Sequence, residues 1–167
     1  MTTGDVSVSM GAVQAAWDQT SILRTPDNEQ AWPELSRRIE GATARYGSGE
    51  LLRGSVLLIS WALAQIGPAT LGREGFAERF TTMLMHKTGQ WEELVEPADL
   101  PMVRQVVTAV LAGQEPVGWL DRACPVPDSE PRAMTCALAQ IADFVDLVDG
   151  PGACERTLLA SLGDALD

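Results

Sequence analysis

The chain carries a single histidine, a single lysine and a single tyrosine in 167 residues. Each scarcity removes a class of function. With His86 alone, no paired-histidine zinc motif of the H-E-x-x-H type can form. Cysteine is also sparse: Cys124, Cys136 and Cys154 cannot all pair, and none stands in C-x-x-C spacing, so a zinc ribbon or redox dithiol is not expected. An odd cysteine count fits a reducing compartment. No G-x-x-x-x-G-K-[ST], G-x-G-x-x-G or G-x-S-x-G loop occurs, which leaves no phosphate cradle or nucleophile elbow to name. No cofactor is expected on these grounds.

Long apolar runs are missing too. The most apolar stretch, "LLRGSVLLISWALAQIG", is uninterrupted only from Gly54 to Ala64, and a spanning helix needs about 20 such residues. It reads as a central helix buried on most sides. The first residues, "MTTGDVSVSMGAV", carry no basic segment before an apolar one, so no secretory signal is expected. Positive charge is the last scarcity. Twelve Lys and Arg face 23 Asp and Glu, a net charge of −11. That average repels phosphate backbones and anionic lipid, so nucleic acid and membrane surfaces are unfavourable partners. It favours solubility and, beyond that, a basic partner.

Apolar residues make up 46% of the chain, enough for a core without metal or disulfide at this length. Eleven arginines against one lysine, with many alanines and glycines, resemble GC-rich coding. A bacterial-type, cytoplasmic protein is expected.

Helical periodicity fills most of the sequence. Residues 1–9 have no period and are expected to be a flexible terminus; 10–167 read as one helical domain. Val13, Trp17 and Thr20 share a side. Leu35, Ile39, Ala42 and Tyr46 form a stripe, with Pro33 suited to a first turn and Gly47 to a stop. Ser48 is positioned to cap the next helix, Thr70 the one that buries Phe76, Phe80, Met83 and Leu84, and Ser129 a later one. Val103, Val106, Val107, Val110 and Leu111 lie at helical rather than alternating positions. Met134, Leu138, Ile141, Val145 and Val148 make an inner stripe, and a last helix is expected to bury Leu158, Leu159, Leu162 and Leu166. Pro116, Pro125 and Pro127 interrupt the region between, with a short turn around Gly118 to Arg122. The fold class is therefore all-α, a compact globule or irregular bundle of about seven helices. Trp32, Trp61, Trp91 and Trp119 recur about every 29 residues, but their contexts differ, and anchoring of successive helices explains them more simply than a repeat.

The densest chemistry is in "MHKTGQWEELVEP". His86 and Lys87 suit the end of one helix and Glu92 and Glu93 the start of a short one, where each charge meets the favourable dipole end. "EELVE" resembles the EExxE motif of all-helical nucleotide pyrophosphohydrolases, in which acidic side chains hold magnesium. The resemblance covers five residues and implies Glu92, Glu93 and Glu96 as ligands of a hard cation. The family's second acidic pair, ExxD, fails here, because Glu115 is followed at the third place by Gly118. "DFVDLVD" sets Asp143, Asp146 and Asp149 three apart, either as further metal ligands or as a solvated acidic face. The candidate metal residues are thus Glu92, Glu93, Glu96, Asp143 and Asp146; no catalytic or cofactor-binding residue is assigned.

The function expected is that of a non-catalytic helical interaction or accessory protein, acidic, working through a protein partner or self-association as a homodimer. Exposure of Ala133, Cys136 and Ala137 would offer a face for close helix docking. The alternatives are a small-molecule-binding helical domain, with Trp and Met lining a pocket, or a metal-dependent nucleotide hydrolase.

Overall fold

Apolar stripes at helical spacing must each be covered on one side. The computed structural model, which describes residues 8–24, 28–66, 68–114 and 126–166, covers them with other helices. The described residues form α1 (Met10–Leu23), α2 (Asn28–Tyr46), α3 (Ser48–Ala64), α4 (Phe76–Gly89), α5 (Leu100–Leu111), α6 (Ser129–Asp149) and α7 (Ala153–Leu166). One turn of α-helix at Pro68–Leu71 and a 3-10 turn at Pro97–Asp99 join them. No strand occurs among the described residues, and the valines of α5 are helical. The fold is all-α, and no described helix is long and apolar enough to cross a membrane.

α3 and α6 form the centre. α3 buries Leu51, Leu52, Val56, Leu58, Ile59, Ala62 and Leu63 around much of its circumference. α1 packs on α3 and α6, α2 on α1 and α3, α4 and α5 on each other and on α6, and α7 on α6 and α3. The chain's three phenylalanines meet between α4 and α6. Phe80 stands edge-on to Phe144 at 5.0 Å and stacks with Phe76 at 5.6 Å between centroids.

Two glycines set the approach of the helices. Gly47 alone separates α2 from α3, at φ +81, a conformation that costs other residues a steric penalty. Gly54 lets α1 touch α3 through the backbone. A β-carbon there would lie 3.1 Å from the Ala12 carbonyl oxygen and from Val13 N and Cα.

Most expected stripes are buried as expected, including Val13, Trp17, Thr20, Leu35, Phe80, Leu84, Val103, Val106, Val107, Met134, Leu138, Ile141 and Val145. Several local expectations are corrected. α2 begins at Asn28, so Pro33 lies in its interior, where its ring removes one backbone hydrogen bond. Thr70 ends up inside the single turn at Pro68–Leu71, and α4 starts only after Gly75 at φ +74. Ser48 and Ser129 are first helical residues rather than caps. The Ser48 hydroxyl instead donates to Asp128 Oδ1 at 2.5 Å, tying the starts of α3 and α6 together. Val148 and Leu159 are not buried: they are 51% and 48% exposed, Val148 in the last turn of α6 and Leu159 to one side of the buried Leu158 and Leu162. Trp61 and Trp91 are half-buried against the core. The expected flexible terminus (but for residues 8 and 9), the turn around Gly118 to Arg122, Pro116, Pro125, Trp119 and Cys124 lie outside the described residues, as do the side chains of Trp32 and Leu166.

Candidate functional site

The segment after α4 is a single turn, not the short helix expected for Glu92 and Glu93. Leu94 N and Val95 N both donate to the Trp91 carbonyl, at 3.0 and 2.9 Å. Leu94 and Val95 are both buried, and Pro97 then opens the 3-10 turn. Pro97 has no N–H to donate back to the Glu93 carbonyl, so the turn is not extended into a helix. The consequence is that Glu92, Glu93 and Glu96 all face solvent. His86 and Lys87 occupy the last turn of α4 and are exposed, with His86 Nε2 3.2 Å from Gln90 Nε2.

Asp143 and Asp146 are engaged elsewhere. Arg24, just past α1, reaches both carboxylates: Nε donates to Asp143 Oδ1 at 2.8 Å and Nη2 to Asp146 Oδ2 at 2.5 Å. The other oxygen of Asp146 accepts the Cys154 N–H at 2.9 Å and so caps the start of α7 across the turn at 150–152. Burial pushes the Asp146 carboxyl up, but the Cys154 N–H, the Arg24 guanidinium and the Gly152 N–H outweigh it and hold the group below the ordinary carboxylate value. This corrects the picture of a uniformly solvated acidic face: Asp143 is 59% exposed, Asp146 only 17%. Among the described residues no group of three His, Cys, Asp or Glu side chains converges as a metal site.

The face expected to dock helices is also corrected. Ala133, Cys136 and Ala137 are 0% exposed, covered inside the core because α6 is the central helix. Burial pushes both the Cys136 and Cys154 thiols up to about 12, which leaves almost no thiolate at neutral pH. Asp99, in the 3-10 turn, is buried with its Oδ2 unpaired among protein groups. Burial, and then the nearby Asp99 charge, raise the Glu130 carboxyl above its ordinary value.

What stands out is apolar surface at the end of α6 and on α7. Leu147 is 82% exposed, beside Val148 and with Leu159 on α7; these are the exposed large apolar side chains of the described residues. Asp143, Asp149 and Glu155 are exposed on the same two helices. The sequence signal for Leu147 was its position off the α6 stripe, a leucine between Asp146 and Val148. Arg24 had no such signal, since its partners lie 119 and 122 residues away.

No family model, no curated protein and no solved structure matches this chain.

Proposed function

We propose that this protein is a non-catalytic interaction or accessory protein that docks a basic protein partner through the α6–α7 junction. The observation that carries this reading is the exposure of Leu147 and Val148 at the end of α6 and of Leu159 on α7, with Asp143, Asp149 and Glu155 exposed on the same two helices. Exposed leucines gain about 2 kcal/mol each when an interface removes them from water. Charge around such a centre selects the partner and speeds its arrival. A chain of net charge −11 opposes its own copy and favours a basic one. Homodimerisation through the same leucines is the second reading, and salt separates the two. Screening strengthens contact between like-charged copies and weakens contact with a basic partner.

The test is affinity capture from host lysate, at low and at high salt, using wild type and the double variant Leu147→Ser, Leu159→Ser. The double variant removes about 3 kcal/mol of interface burial, roughly a hundredfold in affinity. The side chains are 82% and 48% exposed, so folding stability moves little. The expected result is a basic partner lost in the variant and at high salt. A protein that stays monomeric at high concentration and captures nothing that depends on these leucines would sink the proposal.

A further inference from the structure

The groove between α1 and α2 has a character opposite to the rest of the chain. It measures about 400 Å³, and three of its lining residues are Arg37, Arg38 and Arg45. Asp18 is the opposing carboxylate in the lining, and it already accepts the Gln14 amide at 3.1 Å. Glu34 pairs with both Arg37 and Arg38 at 2.6 and 3.0 Å and takes up part of the positive charge. Arg45 sits over the Tyr46 ring, its guanidinium carbon 5.3 Å from the centroid.

Two features of the groove have no structural return. Gly41 lies in the interior of α2, where glycine weakens a helix. A β-carbon at Gly41 would meet nothing within 4 Å, so neither packing nor a special backbone angle requires the glycine. It does keep open the space between Arg38 and Arg45, which stand one helical turn to either side on the same face. Across the groove, Gln19 is only 3% exposed, and its buried Nε2 has no acceptor within the protein. A buried amide donor without an acceptor carries a desolvation cost. Local rules broken without a compensating contact gather at functional sites. Tyr46 forms a wall, lying so close to Gly11 that a β-carbon there would meet its hydroxyl oxygen at 2.5 Å.

We propose that the α1–α2 groove binds a small oxyanion-bearing ligand, a phosphate monoester or a carboxylate, with its anionic group over Gly41 between Arg38 and Arg45. The guanidinium forks match either anion in two-point hydrogen bonds. The body of the ligand lies along Tyr46 and Ala42, and a further ligand oxygen is the acceptor that the Gln19 amide lacks, reached by rotation of that side chain. This site is separate from the α6–α7 junction, and its failure would leave the docking proposal standing.

The experiment is calorimetric titration of the full chain with inorganic phosphate, phenyl phosphate, benzoate and neutral benzamide, at matched ionic strength. Saturable binding of phenyl phosphate or benzoate is expected below about 10 mM, with benzamide silent. The tighter of the two identifies the anion as phosphate or carboxylate. Gly41→Leu fills open space with a better helix former, so it holds or raises the melting temperature while binding falls at least tenfold. Arg38→Gln lowers affinity about tenfold by removing one fork. The proposal is overturned if neither anion binds saturably, if benzamide binds as well as benzoate, or if Gly41→Leu binds like wild type.

Discussion

The same substitution at two helical glycines should move stability in opposite directions. Gly→Ala inside a helix gains about 1 kcal/mol from backbone entropy alone. At Gly41 nothing lies within 4 Å of the new carbon, so the whole gain survives. At Gly54 the new methyl meets three backbone atoms of α1 at 3.1 Å. Backbone cannot rotate away as a side-chain tip does, so α1 and α3 must separate by a few tenths of an ångström. That loosens Val13, Ala16, Leu58 and Ile59, all almost fully buried. Overpacking of this kind costs about 1–3 kcal/mol, which exceeds the propensity gain. Gly54→Ala is then less stable than wild type by about 1 kcal/mol, and Gly41→Ala more stable by about as much. At this chain length each kcal/mol is about 2–4 °C of melting temperature. Urea denaturation of the three proteins, with melting curves alongside, measures the difference directly. A Gly54→Ala protein as stable as Gly41→Ala would refute the backbone contact between α1 and α3.

Two further outcomes follow from the α6–α7 corner and the core. Arg24→Met leaves the partly buried Asp146 without its cation and should cost about 1–3 kcal/mol by denaturant titration. Because the folded carboxyl of Asp146 sits below its unfolded value, its stabilisation is present above about pH 4 and is lost as pH falls through the folded value. That acid limb should be visibly smaller in Arg24→Met, and an unchanged acid limb would count against the clamp. The thiols of Cys136 and Cys154 should stay unreactive to an aromatic disulfide reagent in the native protein and react once guanidinium unfolds it, giving at most one fast thiol, Cys124, before unfolding.

Periodicity made the helices legible because burial on one side leaves a mark at every third or fourth residue. It placed Met134, Leu138, Ile141 and Val145 on the inner side of α6, and they are buried. It overran at Val148, in the last turn of α6, and at Leu159, which stands to one side of the buried Leu158 and Leu162. Cys136 and Ala133 lie beside that stripe, and their burial depends on several helices packing on α6, a tertiary fact without a local pattern. The caps differ for the same reason: Ser48 stands where a helix cap is expected, but its hydroxyl closes a contact 80 residues away. Of the candidate residues, the acidic types were legible and their partners were not. Asp146 serves Arg24 and the Cys154 amide, while Glu92, Glu93 and Glu96 face water on a turn. Gln19 and Gly41 carried no signal until the space around them was known.

The docking proposal is tested most directly by backbone NMR of the labelled protein titrated with a designed amphipathic helix of leucine and lysine. Shift changes are expected to concentrate at residues 143–159, to weaken with salt and to disappear in Leu147→Ser, Leu159→Ser, whose charge is unchanged. Shifts that spread evenly over the acidic surface, or that persist in the double variant, would contradict it.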